Sequence, residues 1–484
     1  MRGLRMFTCQ LFVFFLLEIV SQSASADMIG FRAGAAKVDI TPENGVSLEG
    51  AISKNGLVEG VNDRLHARAI VFADDSMALA IVVCDLCMIA RDVIDEAKQQ
   101  VHRRTGFPID RICVSATHTH AAPRAVHIGT SAKDDDYHRK LAGWIAEAVI
   151  QAQKNLRVAR VGFGRFERPE LIKCRRHLCK PGTAPLNPFG VGGEQIKSVS
   201  TRSGEVIKPA GPTDPQFSIL SVQHADGTPL AALGNFSVHY CGGYKRGIVS
   251  ADYFGHYSAS LEAAFATEKT EKAQSDRTYP PFVGIMSNGT SGNTGAIEKG
   301  GKKYEPFEWL TLAGRMLAQQ SVDIIKETDH RADVMLSMKE LELELQIRRP
   351  DKTRIAWATN VLARPDQPQP HRWSKIYAQE AQHLSQYPAT KKIILQAIRI
   401  GDIAIATAPC EVFAETGVAI KRDSPFAKTF TIELANGYGG YLPPAEQHKL
   451  GGYETWPARS SHLEVAAESK IRNKLVTMLR ELQK

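Results

Sequence analysis

An α/β fold with mixed sheets and surrounding helices is predicted from three observations. Short apolar runs rich in Val, Ile and Ala alternate along the chain with longer segments of helical periodicity. Turn-forming clusters, Asp74-Asp75-Ser76 and Asp226-Gly227, join pairs of such runs as hairpins, while other runs are separated by helices. The composition, 43% hydrophobic and 23% charged over 484 residues, supplies a large core and excludes a collagenous, low-complexity or disordered chain.

The elements follow in order. Residues 66–74 and 77–83 form the first hairpin. Residues 92–104 form a helix closed near Gly106, and 111–116 an apolar strand that runs straight into His118. A helix over 137–156 precedes a strand over 157–164. The second hairpin pairs 217–224 with 230–238. Helices are expected at 256–267 and 306–327, long strands at 332–347 and 393–408, and a further strand at 429–434. In the tail, Leu463, Ala467, Ile471, Leu475, Leu479 and Leu482 share one face of a closing helix over 462–482. Between 180 and 216 lies a stretch rich in Pro and Gly with no periodicity. Such a length without regular structure reads as an insertion over a site rather than a linker between domains.

Residues 1–26 have the features of a secretory signal. Arg2 and Arg5 precede an apolar stretch over 11–20, interrupted by Glu18, and Ala24-Ser25-Ala26 offers a cleavage site before Asp27. That stretch is shorter than the roughly 20 residues a spanning helix needs. The expectation is an exported protein, secreted or periplasmic, with one domain over 27–484. Cys9 leaves with the signal and seven cysteines remain, a number that excludes complete pairing. Cys84 and Cys87 lie inside an apolar run and read as small core residues; Cys174 and Cys179, in a polar stretch, are either free or bridged. The net charge of +8 is thinly spread, with no basic run interleaved with aromatics, so no nucleic-acid partner is expected.

Several catalytic signatures are absent. There is no H-E-x-x-H and no Walker sequence. Gly289-Thr290-Ser291-Gly292-Asn293 fails the G-x-S-x-G pattern at its last position, and Gly162-Phe163-Gly164 lacks the third glycine of a dinucleotide loop. The strongest local signal is Ser115-Ala116-Thr117-His118-Thr119-His120-Ala121-Ala122-Pro123 at the end of an apolar strand. In extended backbone residues two apart share a face, so His118 and His120 would project together, as a metal pair, a ligand and an acid, or two loop histidines. His239 ends a second strand, as a site residue or a satisfied core histidine. Glu411, just after Pro409-Cys410, stands at the mouth of a third strand or in the first turn of a helix. Asn436-Gly437-Tyr438-Gly439-Gly440-Tyr441 is a loop that holds backbone close to a ligand or serves as a plain turn.

Taken together these segments resemble the catalytic region of the neutral/alkaline non-lysosomal ceramidases, zinc-dependent amidases that cleave N-acylsphingosine. The similarity runs, in family order, through Ala33-Gly34-Ala35-Ala36-Lys37-Val38-Asp39-Ile40-Thr41-Pro42, His66-Ala67-Arg68-Ala69, the Thr117-His118-Thr119-His120 motif, His239 and Ser250-Ala251-Asp252. It ends with Glu411, Tyr441, Tyr453 and Glu454. The resemblance implies Zn²⁺ held by His118, His239, Glu411 and Tyr441, with His120, Tyr453 and Arg175 around the substrate amide. Two imidazoles and a carboxylate leave room for water on the metal, whose pKa falls toward ~7 there. His120 could then pass a proton to the leaving amine, and Tyr453 and Arg175 could donate to the developing oxyanion.

Some positions depart from the family pattern. Its Gly-Asp-Val-Ser-Pro-Asn segment is best matched by Gly292-Asn293-Thr294-Gly295-Ala296-Ile297, which replaces the aspartate by Asn293 and the serine by Gly295. Cys174 stands where an asparagine usually precedes the arginine. A C-terminal immunoglobulin-like domain, present in longer ceramidases, is not expected here. The resemblance implies hydrolysis of an N-acyl lipid amide by a zinc-activated water, with possible peripheral membrane contact. The alternatives are a zinc hydrolase on the same scaffold acting on another amide or ester, and a non-catalytic binding protein that keeps the site as a relic.

Overall fold

Strands whose two faces are both apolar must be covered on both sides, and here two sheets cover each other while helices cover the outside. In the computed structural model, the described residues are 30–48, 50, 56–126, 135–197, 205–271, 279–364 and 366–484. The expected signal and Cys9 lie outside them. The first sheet contains β1 (Arg32–Asp39), β2 (His66–Ala73), β3 (Ala78–Cys84), β4 (Ile112–Ala116), β5 (Arg157–Glu167), β6 (Gln216–His224), β7 (Pro229–Phe236) and β8 (Val283–Asn288), in the order β8-β7-β6-β5-β1-β2-β3-β4. β7 and β8 are parallel, as are β3 and β4, and the other neighbours run antiparallel. The second sheet contains β9 (Leu336–Gln346), β10 (Thr390–Ile400), β11 (Ile403–Thr407) and β12 (Lys428–Ile432) in that order, with β11 and β12 parallel. The sheets are mixed, as the sequence predicts.

Alternation along each strand divides the core into layers. Ile70, Phe72, Leu79, Ile81 and Val83 face Ile398, Ile400, Ile403, Ile405, Phe430 and Ile432 between the sheets. Ala69, Val71, Ala80 and Val82 face outward onto helices α1 (Arg91–Thr105) and α2 (Asp135–Lys154). Farther along the same sheet, Phe217, Ile219, Ala232 and Phe236 pack on α3 (Asp252–Glu271) and α4 (Glu308–Glu327). Helices α5 (Lys352–Ala363) and α6 (Ser374–Ser385) pair with each other, and α7 (Ala414–Asp423) and α8 (Ala445–Leu450) flank the site. α9 (Ala467–Gln483) closes the outer face of the second sheet, burying Ile471, Leu475, Leu479 and Leu482 against Ile393, Leu395, Ala404 and Ala406. No helix among the described residues is long and apolar enough to cross a membrane.

Three expectations need correction. The strand expected over 393–408 is a hairpin: Gly401, with φ 63°, turns the chain between β10 and β11. The stretch 180–216 is partly regular, since Ile196–Lys197 and Val206–Pro209 both pair with His177–Cys179. Its Gln195 amide donates to the Leu450 carbonyl at 2.9 Å, which docks the segment on α8. The 352–385 region, where no element was expected, forms α5 and α6. Cys84, Cys87, Cys113, Cys174, Cys179, Cys241 and Cys410 are all buried free thiols, so Cys174 and Cys179 are unbridged.

Candidate metal centre and active site

Five strands aim their carboxyl ends at one place. β4 leads to His118, β7 to His239, β8 to Ser291, β11 to Glu411 and β12 to Glu433 and the glycine-rich loop, the position where open α/β sheets gather ligands. The segment after β12 stitches the sheets together there. The Asn436 amide donates to Val114 O at 2.7 Å, the Leu434 amide to Cys410 O at 3.2 Å and the Glu433 amide to Asn288 O at 3.2 Å. Leu434 and Asn436 make that crossing with φ of 53° and 61°.

His118 does not continue an extended strand. It has φ 76°, a left-handed conformation, with its amide donating to Leu86 O at 2.9 Å. The pairing of His118 and His120 therefore arises from a kink rather than from strand alternation, yet the rings do meet, with centroids 4.8 Å apart. Nδ1 of His118 donates to the Cys87 carbonyl at 2.8 Å, and Nδ1 of His239 to the Ser291 carbonyl at 3.2 Å. Both tautomers are thereby fixed with the Nε2 lone pairs facing inward. Those two Nε2 atoms lie 3.0 Å apart. Glu411 Oε2 lies 3.4 Å from the first and 3.8 Å from the second.

Two lone pairs and a carboxylate oxygen facing one another repel unless a cation lies between them. Glu411 Oε2 is buried and has no hydrogen-bond donor. Ligand atoms on a tetrahedral Zn²⁺ at about 2.0–2.1 Å are about 3.3–3.4 Å apart, close to the observed triangle. The donor set of His118, His239 and Glu411 fits a zinc-like ion. A second cluster, Cys87, His118 and His120, fits less well, because the Nδ1 that faces Cys87 Sγ at 3.5 Å already donates to the Cys87 carbonyl.

The convergence attracts positive charge, which either a proton on His118 or a metal ion supplies. Burial opposes charge on His118, but neighbouring Cys87 and Glu411 raise its pKa well above the usual imidazole value. Burial and the His118 charge hold His239 and His120 well below it. Burial also opposes ionisation of Glu411, yet His118, Tyr441 and Arg175 hold its carboxyl below the usual range. Tyr438, which carried no signal in the sequence, donates its hydroxyl to Glu411 Oε1 at 2.8 Å and leaves Oε2 for the cation. Glu411 lies in a short strand, Glu411–Val412, paired in parallel with Tyr441–Leu442, so it is not in the first turn of α7. That register sets Tyr441 beside it.

The remaining expected residues gather around this triangle. His120 Nε2 is 3.4 Å from His118 Nε2, and its ring stacks on Tyr240 at 4.2 Å. The Tyr441 and Tyr453 rings meet edge to face at 5.7 Å. The Arg175 guanidinium lies 5.4 Å from the first ring centre and 5.3 Å from the second. Its Nε donates to Glu454 at 3.1 Å, Nη1 to Thr294 O at 3.0 Å and Nη2 to Gly292 O at 2.8 Å. Three of its five N–H donors are thus spent on holding the loops. Asp252, with φ 56°, caps the chain after His239 by accepting from the Cys241 and Gly242 amides, each at 3.0 Å. Asn293 accepts from the Ala414 amide at 2.9 Å and donates to Glu415 at 2.8 Å, so it ties the turn to α7. Cys174 turns its thiol to the Arg176 carbonyl. Two further buried groups belong here: Ser291, whose sequence fails the G-x-S-x-G pattern, and Glu433, which lay in no motif and whose carboxyl burial pushes up to about 8.

Fold and site together define an α/β protein with a candidate His-His-Glu metal centre at its strand ends. Residues 31–170 match the family described as neutral/alkaline non-lysosomal ceramidase, N-terminal. The chain is 23% identical over 302 residues to neutral ceramidase A of Dictyostelium discoideum, covering 59% of this chain and 38% of that protein. It is 27% identical over 237 residues to the neutral ceramidase of Pseudomonas aeruginosa, covering 46% of this chain and 32% of that one. The matches thus span about a third of the length of these curated relatives. The crystal structure of neutral ceramidase from Pseudomonas aeruginosa shares the fold, with a TM-score of 0.67 and 18% identity over 94% of this chain and 75% of that one. A ceramidase complexed with C2 gives the same values.

Proposed function

We propose that the chain is an exported zinc-dependent amidase that hydrolyses the N-acyl bond of a lipid amide, N-acylsphingosine or a close analogue. One observation carries the reading: Glu411 Oε2, buried and without a donor, faces two imidazole lone pairs of fixed tautomer. In this reading His118, His239 and Glu411 hold the ion and Tyr441 adds a fourth oxygen. A bound zinc would supply Lewis acidity and make water acidic enough to act at neutral pH, with a pKa of ~7.

The chain's own residues account for the remaining steps. Burial, with positive charge close by, holds His120 neutral, so its Nε2 is free to take a proton and deliver it to the departing nitrogen. The hydroxyl of Tyr453 donates to the carbonyl oxygen as negative charge develops there. Arg175, committed to Glu454 and two carbonyls, orients both tyrosine rings and keeps positive charge behind that oxygen. A second reading, the same chemistry on another acyl amide or ester, draws support from Gly295, which bears no polar side chain within reach of Arg175. Peripheral contact with a lipid surface would bring such a substrate to the cleft. Metal analysis of the purified protein, with turnover on a panel of N-acyl amides and esters, tests both readings. One zinc per chain and ceramide turnover are expected. A metal-free protein inactive on every amide would overturn the amidase reading.

A further inference from the structure

Glu433 is completely buried behind the metal centre. It makes no ion pair with a lysine or arginine among the described residues; its hydrogen bonds come from neutral groups. Its Oε2 accepts from the Val412 amide at 2.7 Å and the Ser291 amide at 3.1 Å, while the Ser291 hydroxyl donates to Oε1. Both donors stand next to the site. Val412 follows Glu411 directly. Ser291 receives the His239 Nδ1 proton on its carbonyl at 3.2 Å, and its Oγ lies 3.4 Å from the same nitrogen. Asn288 Nδ2 completes the Ser291 hydroxyl at 3.2 Å. Whichever way the Ser291–Glu433 hydrogen bond runs, the Ser291 carbonyl can only accept from the imidazole, which requires the hydrogen of His239 on Nδ1 and the lone pair on Nε2.

A carboxyl group buried among neutral partners opposes folding, protonated or ionised, unless it does something that an apolar side chain could not. We propose that Glu433 is a positioning residue for the metal. Through Ser291 it fixes the tautomer and pitch of His239, and through the Val412 amide it anchors the backbone of Glu411, so two ligands from different sheets keep one geometry. Carboxylates that orient a ligating histidine in this way typically change metal affinity by about 10–100-fold. The inference rests on the reading of His118, His239 and Glu411 as metal ligands.

Full-length wild type, Glu433→Gln, Ser291→Ala and the double variant would be compared for zinc affinity, by competition with a chromophoric chelator, and for the visible spectrum of the Co²⁺-loaded protein. Far-ultraviolet circular dichroism would check folding. Each single variant should bind zinc about 10–100-fold more weakly and shift the Co²⁺ bands, and the double variant should lose little more than either single. If wild type binds one metal and folded Glu433→Gln matches it in affinity and spectrum, the positioning role is wrong while the metal site stands. If wild type binds no metal, the metal-site reading itself fails. Should Glu433→Gln not fold, Ser291→Ala decides alone: unchanged affinity and spectrum would overturn the relay.

Discussion

His118 holds a left-handed backbone with no glycine to ease it, and its amide, carbonyl-bound Nδ1 and inward Nε2 are all set by that one kink. Alanine at 118 or 239 removes one of three convergent donors, so His118→Ala and His239→Ala should each abolish stoichiometric zinc, as measured by metal analysis after dialysis. Retention of full metal and activity in both would show that the ion, if any, sits elsewhere. Tyr441 and Tyr453 meet edge to face but should separate by readout. Tyr441→Phe removes an oxygen beside Glu411 and should weaken metal retention, whereas Tyr453→Phe should keep the metal and lower turnover by ~10²–10³-fold. Equal metal loss in both would erase that division. His462 offers a test away from the site. Burial first, then Lys391 with its Nζ 3.3 Å from Nε2, pushes the imidazole down to about 3, so the folded protein keeps it neutral. Unfolding frees it to take a proton below its ordinary value of 6.5. Its contribution is therefore complete above that pH and declines as pH falls toward the folded value. The stability difference between wild type and His462→Gln, from urea denaturation, should shrink from pH 7 to about pH 4.5; a constant difference would mean that His462 does not titrate this way.

Among the elements, those with clear periodicity were legible and those defined by a turn were not. The closing helix illustrates the first case: Ile471, Leu475, Leu479 and Leu482 are buried on one face as their spacing predicts. Ile471→Ala should cost about 2–5 kcal/mol, seen as a lower melting temperature with metal content unchanged, because α9 holds no proposed ligand. An unaltered melting temperature would mean that the helix is not part of the cooperative core. The 393–408 strand illustrates the second, since its apolar run hides the reversal at Gly401, which lies between isoleucines that pair with each other. Motif reading proposes His118, His239, Glu411 and Tyr441, through strand ends and a family pattern, and the structure places the first three together. Motifs could not find Ser291, Tyr438 or Glu433, because each matters only through a partner more than twenty residues away. The chain also carries two N-x-S/T tripeptides, Asn235-Phe236-Ser237 and Asn288-Gly289-Thr290, but both asparagines are buried and hydrogen-bonded inside the sheet, which tripeptide reading cannot reveal and which closes them to glycosylation.

At the scale of the whole molecule, two sheets and their helices converge on one rim, and the 180–216 segment docks on that rim next to Tyr453. Glu194 accepts from the Gly452 amide and from Trp456 Nε1, each at 2.8 Å, bracketing the turn that bears Tyr453. Phe189 packs edge to face on Trp357 and Tyr377, which fastens the same segment to α5 and α6. The Ala210 amide donates to Arg176 O at 2.9 Å, one residue from Arg175. A segment fixed in this way can shape the substrate entrance without supplying a ligand to the metal. Replacing residues 183–207 by a short Gly/Ser linker should therefore leave zinc content intact while changing KM or substrate preference across an N-acyl panel. The lost Glu194 and Phe189 contacts should also lower the melting temperature, where a freely solvated excursion would leave it unchanged. Glu194→Ala alone should reproduce the kinetic change at smaller thermal cost, since it releases the Tyr453 turn and keeps the aromatic packing. Identical kinetics in both variants across the panel would show that the segment merely covers surface and that Tyr453 is held by its own loop.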